Sequence, residues 1–233
     1  MKKIFLALFS ILISLHVFAG DVAAFVDIGF SEDGKTYLFG EYGKTDKSFQ
    51  GWAEIYTVDV AKNIFVKNEL YKTLPSKSTV GKQGKDVYES LVAKNYSIIK
   101  KYNSAPVSAD RILYVCADES KKSTEEIVFK DFTSVTGSNS TYHVKIFPTV
   151  TGSGKNARSS FYIMLDRKDS NGNILSSKKV GTPSVVRQGV TDYRIEKIFC
   201  SKNGKGIVIV VSKTMEDETG VLVRYMVETT VLD

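Results

Sequence analysis

The chain has few of the residues on which most metal and nucleophilic chemistry depends. It holds 2 histidines and 2 cysteines in 233 residues. One of the histidines, His16, falls in a leader segment. No C-x-x-C pair occurs, so neither a zinc knuckle nor a dithiol redox centre can form from sequence neighbours. Only 4 prolines are present, which excludes a proline-rich linker or a collagen-like chain. No block of five basic residues exists, so a clustered nucleic-acid groove is not expected. After residue 20 no apolar run approaches the ~20 residues of a spanning helix.

What is present is an ordinary globular composition, with 42% apolar, 25% charged and 11% aromatic residues. Residues 1–20, MKKIFLALFSILISLHVFAG, follow the three-part pattern of a secretory signal peptide. Lys2 and Lys3 give a positive start, Ile4 to Leu15 an apolar stretch, and Val17-Phe18-Ala19 a cleavage site after Ala19 or Gly20. Removing the leader leaves 30 basic against 26 acidic side chains, a mild net charge of +4. That excess aids solubility and points to no nucleic-acid partner. The expected location is the periplasm or the exterior. Cys116 and Cys200 both lie beyond the leader. A disulfide closing about 85 residues would contribute about 4–5 kcal/mol by loop entropy. Two buried thiols on strands are equally open.

Strand patterns dominate. Val22–Phe30, Lys35–Tyr42, Trp52–Val60 and Ile64–Leu70 predict one antiparallel meander. Arg111–Cys116, Glu126–Phe132, Thr141–Val150, Ser160–Leu165 and Ile174–Val180 continue the pattern. Tyr193–Phe199, Gly206–Val211 and Val221–Val231 predict a last meander. Residues 74–85 read as a loop, and Asp86–Tyr102 as one amphipathic helix with Asp86 and Glu89 as a capping pair. Asn103, Ser104 and Pro106 stop it. The expected fold is mainly β: antiparallel meanders resembling propeller blades or a β-sandwich, with one helix covering a sheet. Residues 21–233 are expected to form a single domain with a loop–helix insertion at about 74–105.

An internal echo links the two meanders at a shift of 170 positions. Ser31, Gly34 and Lys35 align with Ser201, Gly204 and Lys205. Both segments read strand, F/C-S-x-D/N-G-K, strand. The turn resembles that of TolB-type and tryptophan–aspartate repeat propellers, where Ser, an acid or amide, and Gly build a tight corner. Joining of the two termini in one sheet would follow from such an echo.

A closer resemblance runs over residues 25–105. Phe30-Ser31-Glu32-Asp33-Gly34-Lys35, Phe39-Gly40-Glu41-Tyr42-Gly43 and Ala53-Glu54-Ile55-Tyr56-Thr57-Val58-Asp59-Val60 are similar to a family of bacterial predicted secreted proteins of unknown function. Gly40 stands where a second acid is common, and Lys44–Phe49 replaces a Gly-rich stretch. The resemblance implies export and a β-rich domain, and supplies no site residues.

Chemical motifs fail on spacing. Gly152-Ser153-Gly154-Lys155-Asn156 has Thr149 and Asn156 where a phosphate loop needs Gly and a hydroxyl, and Gly81–Asp86 fails similarly. Asp169, Asn171 and Asn173 have calcium-loop spacing with Gly172 misplaced, and read as a hairpin turn. Ser31–Tyr37 is near a sialidase Asp-box but lacks one residue. His143 reads as a satisfied strand histidine. No metal, cofactor or catalytic residue is assigned. The leading expectation is a non-enzymatic exported module that binds an unknown protein or glycan partner in the envelope. The alternatives are an envelope hydrolase using paired carboxylates, and a carbohydrate-binding module using Trp52, although core or sheet packing is the favoured reading of that ring.

Overall fold

Five consecutive β-branched residues, Ile207 to Val211, have no polar face. A strand made of them must be covered on both sides. In the computed structural model, which describes residues 21–117, 123–132, 139–218 and 220–232, they occupy the middle of the core. The leader at 1–20 lies outside the described residues.

The strands form three sheets. The first is a meander of β2 (Ala24–Phe30), β3 (Thr36–Lys44), β4 (Gly51–Asp59) and β5 (Ile64–Thr73). The central sheet has the order β1-β14-β13-β12-β6. Its strands are β1 (Asp21–Val22), β6 (Ile112–Val115), β12 (Val190–Cys200), β13 (Gly206–Asp217) and β14 (Gly220–Val231). The third sheet holds β7 (Ile127–Lys130), β8 (Thr141–Thr151), β9 (Arg158–Lys168) and β10 (Ile174–Val180), with β11 (Arg187–Gln188) paired to β9. The chain is therefore mainly β, as its patterning requires. The expected first strand is split: Asp21–Val22 pairs parallel with β14, which ties the two ends of the described chain into one sheet.

Alternation along the central strands sorts the core into layers. Ile198, Cys200, Ile207, Ile209 and Val211 pack with Val144, Ile146, Phe161 and Ile163 of the third sheet. Their neighbours Phe199, Val208 and Val210 pack with Tyr37, Phe39 and Val58 of the first sheet. A period of two thus feeds both faces. The outer face of the first sheet is apolar as well, through Ile28, Leu38 and Ile55, and is covered by Val87, Leu91 and Ile98.

Those covering residues come from two helices, where one was expected. They are α1 (Gly84–Lys94) and α2 (Tyr96–Tyr102). Asn95 breaks the run: its backbone leaves the helical region (φ −115°, ψ 22°) and its Nδ2 donates to Leu91 O at 2.8 Å. Side-chain competition of this kind is what makes Asn a helix-ender. The start also differs. The helix begins at Gly84 after Gln83, and Glu89 pairs with Lys85 (3.8 Å) rather than capping with Asp86. Glycine is needed there because a Cβ on Gly84 would overlap the backbone of Gly43 in β3.

The sequence echo is a structural duplication. In the first turn the Ser31 hydroxyl donates to Asp33 Oδ1 (2.7 Å) and accepts from Thr36 N (2.9 Å). In the second, the Ser201 hydroxyl donates to Asn203 Oδ1 (2.6 Å) and accepts from Gly206 N (2.8 Å). Gly34 and Gly204 share φ 72°. The two turns also touch, because Asn203 Nδ2 donates to Asp33 O at 3.2 Å.

The open question about the cysteines is resolved against a bridge. Cys116 N donates to Glu196 O, whereas Cys200 lies four residues further along β12. At about 3.3 Å per residue that separation far exceeds the ~7 Å Cα limit of a disulfide. Both residues are thiols, Cys200 buried and Cys116 half-buried.

Candidate functional site

Polar side chains inside a β stack are costly unless paired, so a buried polar cluster marks either a structural tie or a site. One such cluster lies in a cleft of about 280 Å³ lined by Glu41, Trp52, Glu54, Tyr56, Lys213 and Arg224, with Leu74 and Pro75. Glu41 of β3 and Glu54 of β4 stand directly opposite in the ladder. Like charges so placed repel, and the surroundings resolve the conflict. Glu54 takes Lys72 Nζ on both oxygens (3.0 and 3.1 Å). The Tyr56 hydroxyl sits between the carboxylates, at 3.2 Å from Glu41 Oε1 and in contact with Glu54 Oε2. The other Glu41 oxygen accepts Tyr225 N–H at 2.8 Å. That N–H lies just past the point where β1 stops pairing with β14, so the carboxylate supplies a missing ladder acceptor. Burial pushes the Glu41 carboxyl above its ordinary range, against the Tyr225 hydrogen bond and with help from Glu54.

The cations divide differently. Arg224 of β14 donates to Asp21 Oδ2 (2.5 Å) and Asp21 O (2.7 Å), and its guanidinium lies 4.2 Å from the Trp52 ring centroid. Lys213 of β13 is directly opposite Arg224. Among the described residues its ammonium makes no hydrogen bond and has no acid within ion-pair distance. Burial pushes its pKa down, opposed by the field of Glu41.

This geometry agrees with the favoured packing reading of Trp52 and not with its use as a sugar platform. The indole is 4% exposed, capped by Arg224, and donates from Nε1 to Asp21 Oδ1 at 3.4 Å. It is a core ring, and no sugar can stack on it. His143 lies on β8 between Thr141 Oγ1 (3.0 Å from Nε2) and Glu126 Oε2 (3.0 Å from Nδ1). Asp169 caps its hairpin by accepting Asn171 N, Asn173 N and Asn173 Nδ2, which uses the carboxylate within the turn. Lys155 of the glycine-rich loop pairs with Glu218 at 3.0 Å.

Residues 38–230 match the family described as predicted secreted protein (DUF2259). The chain belongs to this family. No curated protein sequence matches it. The family match runs from β3 to β14, so it includes every cleft residue from Glu41 to Arg224 and leaves out Asp21. Export is what the family description and the leader both indicate, and no helix among the described residues is long and apolar enough to cross a membrane.

A larger hollow of about 420 Å³ lies where the loop after α2 meets the end of β12. Its thiol, Cys200, is pushed up by burial, the reverse of what a nucleophile needs. Its Asp110 is held by Ser108 (2.6 Å) and Arg111 (3.3 Å). The smaller cleft therefore carries the functional argument. Its key residues were not singled out from sequence. Glu41 and Glu54 fall within the quoted motifs, but their pairing is a matter of register, and Lys213 sits in a strand with no motif.

Proposed function

We propose that this protein is a non-enzymatic binding module of the bacterial envelope, folded as one exported unit, and that the cleft holds a small acidic ligand. One observation carries the reading. Lys213 is the one cation of the cleft left without a partner among the described residues, while both carboxylates are taken by internal donors. A partly desolvated ammonium beside apolar Leu74 and Pro75 gains most when an anion enters, because attraction strengthens as the local dielectric falls. A volume near 280 Å³ lies at the small end of ligand pockets, about 300 Å³ and upward.

The second reading is a hydrolase using the pair Glu41 and Glu54, and the shared Tyr56 hydroxyl is the feature in its favour. Against it, Glu41 is 3% exposed with both oxygens occupied, whereas a general acid must reach its substrate. Isothermal titration of the leaderless protein with acetate, glucuronate and inorganic phosphate separates the two. Saturable binding of at least one anion, weakened about tenfold or more in Lys213→Met, supports the binding module. Turnover of a glycan or ester panel that vanishes in Glu54→Gln, with no anion binding, replaces it by the enzyme.

A further inference from the structure

The edge of a sheet carries alternate backbone N–H and C=O groups that no neighbouring strand claims. The two edges of the first sheet differ in this respect. Along β2, Phe30 bridges Ala105 and Asp27 Oδ2 accepts Val107 N–H at 2.7 Å, so the segment after α2 covers that edge. Along β5, residues 70–73 pair with β4, and among the described residues no other backbone group bonds to them. This open edge borders a groove of about 400 Å³, whose far wall is the α1 face carrying Ser90 and Lys94. Lys82 lies two residues before α1 and Lys94 ends it, so the helix length, 11 residues or about 16 Å, separates them. Neither ammonium has a partner among the described residues. The third lysine of the lining, Lys72, is turned to Glu54 at 3.0 Å, and no acidic side chain lines the groove. The surrounding segment concentrates positive charge. Residues 70–102 hold 7 of the 30 basic side chains beyond the leader and 2 of the 26 acidic ones, which leaves 23 against 24 for the rest.

We propose that β5 takes up an extended segment of a partner protein as an added strand, and that this segment alternates acidic and apolar residues. Two free ammoniums a helix length apart do not close on one small anion, but they do flank an extended chain of about five residues. Strand addition gives the chain the unclaimed N–H and C=O groups of residues 70–73 as partners. The alternation follows from β5. Tyr71 packs with the residues under α1, so Tyr71 and Thr73 take the helix side. Lys72 meets Glu54 on the other side, which Leu70, 41% exposed, shares. An added strand continues this pleat. Its side chains level with Tyr71 and Thr73 face α1 and its lysines, and those level with Leu70 face an apolar neighbour. Exposed ion pairs are weak singly, so the ladder supplies affinity and the lysines choose the sign of the partner. The groove needs neither Lys213 nor Arg224, and the proposal stands apart from the reading of the cleft.

Fluorescence anisotropy of the leaderless protein with labelled peptides of about six residues tests this. The probes are an alternating glutamate–valine peptide, its fully N-methylated form, polyglutamate and an alternating lysine–valine peptide. The expected result is saturable binding of the first, with each of the others weaker by about tenfold or more. Lys82→Glu with Lys94→Glu, both exposed positions, should lose the glutamate–valine peptide by a similar factor and gain the lysine–valine peptide, which also shows that the variant is folded. Lys213→Met should bind like the wild type. Hydrogen exchange should slow at alternate amides of residues 70–73 when the glutamate–valine peptide is bound. No binding by the wild type, equal binding of polyglutamate or of the N-methylated peptide, an unaltered preference in the lysine pair, or binding without protection at 70–73 would each overturn the proposal. None of these results touches the anion-binding reading of the cleft.

Discussion

Gly34 and Gly204 do the same work in two copies of one turn, and the difference between them is informative. Both have φ 72°, a region that costs an L-residue about 1 kcal/mol. A Cβ on Gly204 would meet nothing nearer than Phe132 at 4.0 Å, whereas one on Gly34 would lie 3.1 Å from Ser201 Cβ and 3.2 Å from Asn203 Nδ2. Gly204→Ala should therefore cost about 1 kcal/mol from backbone strain alone. Gly34→Ala should cost about 1–2 kcal/mol more, because the second turn must give way. Urea denaturation of the two variants checks the ordering, and equal losses would mean that the turns are not in contact. The pairing was legible in part: Ser31, Gly34 and Lys35 matched Ser201, Gly204 and Lys205 by sequence alone. That the copies abut was not legible, since a 170-residue echo says nothing about distance.

At the level of elements, the alternating and turn-bounded segments were readable and the long-range pairings were not. The meander of β2 to β5 and the run β12 to β14 follow from period-two patterning and Asx-Gly turns. The single expected helix became two because Asn95, an ordinary polar residue in the pattern, turns its amide onto Leu91 O. Core packing was the favoured reading of Trp52, and the strand pattern alone could not separate it from a sugar-stacking platform. Strand alternation fixes which side a residue takes, but whether that side meets water depends on what is stacked above it. Trp52 meets Arg224 and Asp21. Phe147 and Tyr162, in the polar phase of T-Y-H-V-K-I-F and S-F-Y-I-M, remain on an outward face. The cleft was the least legible part. Its Glu41–Glu54 pair depends on the register of β3 against β4, and Lys213 is brought in from β13, some 160 residues away.

Among the described residues, burial pushes three carboxyls above their ordinary range: Asp27, Glu41 and Glu228. Their protonated forms fit the native state better than their charged forms. The stability they supply is complete below about pH 4, where the unfolded carboxyls also hold their protons. It is lost as pH rises through the higher native values. Exposed Asp33 and Asp169 are shifted the other way by hydrogen bonds within their turns, from Lys35 N and Asn173 respectively, but solvent screens such surface effects. Thermal unfolding of the leaderless protein should therefore show a melting temperature that declines from the acidic side toward neutral pH, with a shallower decline in Glu41→Gln and Glu228→Gln. A decline of the same slope in all three proteins would remove these carboxyls as its cause.

Three stacked layers and a helical cover leave a cleft in which one ammonium is partly dehydrated and, among the described residues, unclaimed, and the functional account stands on that lysine. The most direct test is NMR of the lysine side chains in isotopically labelled leaderless protein, with Lys213 assigned by its loss in Lys213→Met. The account predicts that the Lys213 amine titrates below the surface lysines and that its resonance alone shifts and saturates as glucuronate is added. A Lys213 signal that titrates with the surface lysines and stays fixed under every small anion would contradict it.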